Sequence, residues 1–149
     1  MIYTVEYKTE AELLEKLRDL MVQTSKTTGP GDLYKRLEKY AHKKQEHFFV
    51  IILDGAHNFV KLEVVTKGLV NRTIVHAREV FRPAIVASAC AIIVAHNHPS
   101  GNLTPSSEDM EITERFIDAG VIIGIPVLDH IIFGPTGYRS MVETGEMPR

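Results

Sequence analysis

The sequence predicts an α/β or α+β sandwich, with helices packed on a mostly central β-sheet. Two continuous apolar runs, Phe48 to Leu53 (FFVIIL) and Ala91 to Ala95 (AIIVA), have the length and character of buried strands. Residues 59–65 alternate Phe59, Lys61 and Glu63 against Val60, Leu62 and Val64, as a half-buried hairpin partner does. Segments of helical period stand before, between and after these strands.

Taken in order, residues 2–7 (IYTVEY) alternate in a strand-like way. Thr9 can then cap a helix through about Gln23, with Leu13, Leu14, Leu17, Leu20 and Met21 as its apolar stripe. Thr24 to Gly31 is polar and ends in Gly-Pro-Gly, the strongest break in the chain. It divides a strand-helix extension, residues 1–30, from the main domain, residues 31–149. Asp32 is expected to cap a helix over 33–44, with Leu33, Leu37 and Tyr40 inward and Lys35, Arg36, Lys39, Lys43 and Lys44 on a solvated face. After FFVIIL, Asp54 to Asn58 turns the chain into the alternating strand, and a third strand is expected over Leu69 to Val75. His76 to Ser88 has helical period, and Pro83 inside it should kink the helix. Beyond AIIVA and a polar loop, Thr104 and Pro105 read as the N-cap and first residue of a helix ending at Gly120. Val121 to Val127 and Ile131 to Phe133 read as strands, Gly134 to Gly137 as a turn, and the polar tail from Tyr138 is expected to fray.

At 149 residues the chain is long enough for one real core, and 44% hydrophobic with 24% charged residues is ordinary for a soluble globular domain. A net charge of -2 gives no support for a broad basic surface that would hold nucleic acid. The single cysteine, Cys90, rules out an internal disulfide and a cysteine-based zinc site, and its apolar neighbours predict a buried packing residue. No apolar run approaches the roughly 18–20 residues of a membrane span, and the acidic, broken start does not suit a signal peptide. These features predict a cytoplasmic protein.

The stretch Ala91 to Asp109 carries the chemistry. His96 and His98, at i and i+2 on an extended chain, point to one side and can share an ion. Asp109 lies on a helix face that continues through Ile112, Phe116 and Ala119, so its carboxylate should point inward and needs a partner or a metal. Two histidines and one aspartate supply three zinc ligands and leave a fourth position for water, the pattern of catalytic zinc. Water activation calls for a base, commonly a carboxylate that is not a ligand. Glu46, at the junction of the second helix and the FFVIIL strand, is the leading candidate, and Glu79 is the alternative. Ser106 could donate to a developing oxyanion or serve the open N–H groups of the helix start. Asp129 and His130 could each support a ligand histidine from behind.

His96, His98, Ser106 and Asp109 are spaced in a way that resembles the JAMM signature of the JAB/MPN metallopeptidases, and His-Asn-His-Pro-Ser-Gly is similar to the RadC branch. Gln45-Glu46-His47-Phe48 is also similar to RadC wording, in a family that places its catalytic glutamate just before the first core strand. The resemblance covers roughly Glu46 to Glu143. It implies a curved β-sheet flanked by helices, related to the cytidine-deaminase architecture. It also implies zinc on His96, His98 and Asp109, with Glu46 as general base and Ser106 steadying the oxyanion. A peptide or protein substrate, cut at a peptide or isopeptide amide, would follow. The alternative is a binding or scaffold module of the same fold that has lost turnover, associated with DNA repair or mobile elements. The stretch ahead of Glu46 is expected to lack the helix-hairpin-helix region that longer RadC proteins carry, which weakens any carry-over of a DNA-repair label. A homodimer is a family-level expectation that the amphipathic N-terminal helix would suit.

Overall fold

All seven residues of His47–Leu53 (β1) are buried, and the sheet is built outward from them. The computed structural model describes residues 4–24, 29–68 and 75–149. Within these, α1 (Glu10–Thr24), α2 (Pro30–Leu37) and a 3-10 turn (Glu38–Tyr40) precede β1 and β2 (Phe59–Lys67). Then come α3 (Ala77–Val86), β3 (Ala91–Asn97), α4 (Ser107–Ile123), β4 (Val127–Gly134) and β5 (Gly137–Ser140). The strands form one five-stranded sheet in the order β2-β1-β3-β4-β5. Only β3 and β4 pair in parallel, which requires a crossover connection, and α4 supplies it.

Strand alternation splits the core in two. Phe48, Val50, Ile52, Ile92 and Val94 face α3 and α4, meeting Val80, Phe81, Ala84, Ile112 and Phe116. Phe49, Ile51, Leu53, Ile93, Ile131 and Phe133 face the other way, onto Leu33 and Leu37 of α2. With about 25 cal/mol stabilisation per Å² of apolar area buried, two-sided burial explains why FFVIIL and AIIVA read as unbroken apolar runs.

Several elements differ from expectation. Residues 4–7 are not a strand, and the rest of that expected strand lies outside the described residues, as does the expected strand over 69–75 apart from its last residue. Thr9 does cap α1, its hydroxyl accepting from Glu12 N at 3.2 Å, but the helix leaves its stripe half open: Leu14, Leu17 and Met21 are exposed. The second helix starts earlier, with Gly29 as N-cap and Pro30 in its first turn, because proline's fixed φ and missing N–H suit that position. Arg36 lies on no solvated face; it is buried with its guanidinium 3.9 Å from the centre of the Phe59 ring.

Ser106, rather than Thr104, caps α4. A capping box needs an acid three residues on, and Ser106 has Asp109 where Thr104 has Ser107. Gly120 does not stop the helix. It lies inside α4, where an added Cβ would come within 2.6 Å of the Ile125 carbonyl, and Gly124, at φ 81°, forms the cap. Residues 121–123 are accordingly helical rather than extended. Cys90 is exposed, because α3 ends at Val86 and the buried strand begins only at Ala91. The tail does not fray near Tyr138: β5 pairs with β4, Met141 is buried, and Arg139 bonds to Glu146.

Candidate metal centre

β3 and α4 bring the two histidines and the aspartate together at the C-terminal end of β3. His96 and His98 point to the α4 side of the sheet, and Asp109 stands in the first turn of α4; all three are buried. His96 Nε2 is 2.8 Å from His98 Nε2 and 3.2 Å from Asp109 Oδ1, while His98 Nε2 is 3.4 Å from Asp109 Oδ2. Ligand atoms bound tetrahedrally at zinc distances stand about 3.3–3.6 Å apart. The two histidine–carboxylate distances match that spacing and the histidine–histidine distance is about half an ångström shorter, and this His-His-Asp group could hold a metal ion.

Each donor is oriented from behind. His98 Nδ1 lies 2.5 Å from the Asn102 carbonyl, which can only accept, so Nδ1 carries a proton and Nε2 is the atom turned toward Asp109. His96 stacks on Phe48, rings 5.8 Å apart and inclined by 9°. Asp109 is fixed by the capping box: its Oδ2 accepts from Ser106 N at 2.8 Å, and its own N–H donates to Ser106 Oγ at 3.1 Å. Burial pushes the Asp109 carboxyl up, but the imidazoles of His96 and His98 and the Ser106 N–H outweigh it and hold the group well below the usual carboxylate range.

Ser106 therefore does serve the helix start. The cap uses a lone pair of the hydroxyl oxygen. Glu46 is half-buried just ahead of β1, its carbonyl accepting from Gly68 N at 2.8 Å. The β1–β3 register ends at the Phe48–His96 pair, two residues after Glu46. Glu79 is exposed, and its carboxylate accepts from His76 N at 3.1 Å as the cap of α3. Of the Asp129–His130 pair, His130 reaches the centre, its Nε2 2.8 Å from His96 Nδ1. Asp129 points to the opposite side of β4, where it accepts from Ser140 Oγ and from the backbone of His130 and Val142.

Two contributing residues escaped the sequence reading. Asn97, fully buried between the histidines, accepts from His47 N at 2.6 Å and donates to the Gln45 carbonyl at 3.0 Å, so one side chain holds the peptide units on both sides of Glu46. Thr113, also fully buried, sits one helical turn after Asp109 and contacts His130. A polar residue in a strand buried on both faces, and a threonine on an otherwise apolar helix stripe, were the available signals.

A helix-flanked mixed sheet with a His-His-Asp cluster at the end of a central strand defines a JAB/MPN-type domain. The RadC-like JAB domain family model matches residues 27–146, and the chain belongs to that family. It is 48% identical over 121 residues to a UPF0758 protein of Staphylococcus haemolyticus, covering 80% of this chain and 53% of the relative. A UPF0758 protein of Geobacter sulfurreducens is 42% identical over 127 residues, 85% of this chain and 56% of its own length. One from Methanococcoides burtonii is 41% identical over 140 residues, 91% of this chain and 61% of its own. The chain thus spans a little over half the length of these curated relatives.

Proposed function

We propose that this domain is a zinc-dependent hydrolase of the JAMM type that cleaves a peptide or isopeptide amide. The observation that carries the reading is the convergence of His96 Nε2, His98 Nε2 and an Asp109 carboxylate oxygen in one buried cluster. Its support includes membership of a family whose wider superfamily includes metalloproteases. His96, His98 and Asp109 would hold the metal, with the carboxylate kept ionised by its own hydrogen bonds. Zinc bound there would supply Lewis-acid polarisation of a water and of the amide carbonyl. Glu46 takes the proton from the attacking water and returns it to the leaving amine. The Ser106 hydroxyl, whose oxygen is already positioned by the Asp109 N–H, donates to the oxyanion as the carbonyl becomes tetrahedral. Phe48 walls the His96 side and keeps water from that ring.

The test is Glu46→Gln, assayed against a peptide and isopeptide library alongside metal analysis. General acid–base catalysis is typically worth about 10²–10⁴-fold, so the variant should lose at least about a hundredfold in hydrolysis. It should keep its circular dichroism spectrum and about one zinc per chain, as three untouched ligands require. Hydrolysis unchanged by Glu46→Gln would remove that residue from the mechanism. Zinc absent from wild type after loading and desalting would remove the metal.

A further inference from the structure

Both helices on the Phe48 side of the sheet end in exposed aliphatic residues. α3 closes with Ile85 and Val86, 56% and 80% exposed, and α4 with Val121, Ile122 and Ile123, at 76%, 86% and 41%. α3 leads into β3 and α4 into β4, and these strands are parallel, so both last turns lie at the end of the sheet remote from His96. The helices approach each other at Phe81 and Gly120, where an added Cβ on the glycine would lie 3.4 Å from the Phe81 ring. Ile85 stands one turn beyond Phe81 and Ile123 about one turn beyond Gly120, so the five residues gather at one end of the helical layer.

The helices themselves gain little from this choice of residues. β-branched side chains are weak helix formers, and a helix C-terminus favours lysine or arginine, yet neither α3 nor α4 has a basic residue in its last turn. Pro83 to Cys90 and Ala119 to Leu128 hold no charged residue, so no like charges at this end oppose association. α1 also exposes Leu14, Leu17 and Met21, but with Glu15, Lys16, Arg18 and Asp19 interleaved.

We propose that the exposed ends of α3 and α4 form the interface of a reversible homodimer, in which α3 of each copy lies beside α4 of the other about a two-fold axis. The charges one turn back fit a second copy. Arg82 shares a helix face with Val86, and Asp118 shares one with Ile122; both are exposed and of opposite sign. The Phe81–Gly120 approach keeps the two helices in step, so a two-fold axis running along them sets Arg82 against the partner's Asp118, and does so twice. The area agrees with a dimer that comes apart. Fully burying an aliphatic side chain removes about 60–120 Å² of apolar surface, so five residues at these exposures offer roughly 400–800 Å² across a pair of copies. With an interface about 60% apolar, the total comes to roughly 700–1,300 Å², which reaches the standard size only at its lower edge. The inference does not rest on the metal reading, and pairing at this end leaves both candidate metal centres open.

The experiment is sedimentation equilibrium on the 149-residue chain from micromolar to submillimolar concentration. Wild type should rise from the mass of one chain toward that of two. Val86→Lys and Ile122→Lys change exposed positions where lysine suits the helix end, so each should keep its circular dichroism spectrum and weaken the dimer at least about tenfold. Arg82→Asp and Asp118→Arg should each weaken it about three- to tenfold by setting like charges together, and the two combined should return it to within about threefold of wild type. A wild type that keeps the mass of one chain throughout overturns the proposal, and an apolar dye bound there and lost in Ile122→Lys would then assign the face to a different partner. A dimer indifferent to both lysine variants overturns it as well, and a double charge exchange as weak as the single ones overturns the pairing of α3 with α4.

Discussion

Replacing Asn97 by alanine tests how the chain ahead of β1 is held beside the histidines. The side chain accepts from His47 N at 2.6 Å and donates to the Gln45 carbonyl at 3.0 Å and, at the longer distance of 3.4 Å, to the Lys43 carbonyl, in a fully buried position. Removing it leaves the His47 N–H without its acceptor, at about 1–3 kcal/mol, and loses the second bond at about 1 kcal/mol. Gln45 O keeps the His47 Nδ1 contact at 2.8 Å, so its own desolvation adds little. The loss is therefore about 2–4 kcal/mol. With a urea slope of about 1.5 kcal/mol per M, the unfolding midpoint should drop by about 1.3–2.7 M. Metal content should stay near one zinc per chain if bound, since neither histidine depends on the Asn97 amide, whereas amide hydrolysis should fall because both flanks of Glu46 are released. A midpoint within about 0.3 M of wild type would mean that the clamp carries no weight. Lost metal with retained hydrolysis would mean that Asn97 serves the ligands and not Glu46.

Two further outcomes follow from buried groups away from the cluster. Burial raises the pKa of Asp129, against the hydrogen bonds from Ser140, Val142 and His130, so its folded value lies above its unfolded one. A raised folded pKa contributes stability below the unfolded value of about 3.9 that is lost as pH rises through the folded one. In urea titrations of metal-free protein, wild type minus Asp129→Asn stability should thus be greater at pH 4 than at pH 7; the reverse order would refute the burial argument. Gly120→Ala gains helix propensity of about 1 kcal/mol, but its Cβ would meet the Ile125 carbonyl at 2.6 Å, and backbone cannot swing aside. Overpacking of this kind costs about 1–3 kcal/mol, so a lowered melting temperature is expected, and a raised one would show that the β4 approach can yield.

The central strands were legible because burial on both faces writes itself as uninterrupted apolar runs. The cluster was legible because i, i+2 histidines must share a side in a strand and Asp109 must follow Ile112 and Phe116 inward on a helix. Other features depend on contacts distant in sequence. Nothing local tells that Asp129 will hold Ser140 and so keep the polar tail in the fold, or that Arg36 will lie over Phe59. Nor does the run from Ile85 to Val94 announce that it belongs to two elements, with Ser88 at φ 54° between them and Cys90 left outside. The start of α4 was misplaced for a different reason: Thr104-Pro105 is a good local signal, but the reciprocal bonds of Ser106 and Asp109 are better.

The Asn97 clamp also bears on the order in which the molecule assembles. His96, His98 and Asp109 belong to one strand-loop-helix passage, so they can meet through local chain closure alone. The bond between His47 and Asn97 spans 50 residues and forms only when β1 docks against β3. Loop length alone gives the strand-loop-helix passage the smaller closure cost and the docking of β1 on β3 the larger one. On the function proposed above, a chain in which β1 has not docked against β3 would hold the three ligand candidates without the glutamate proposed as base.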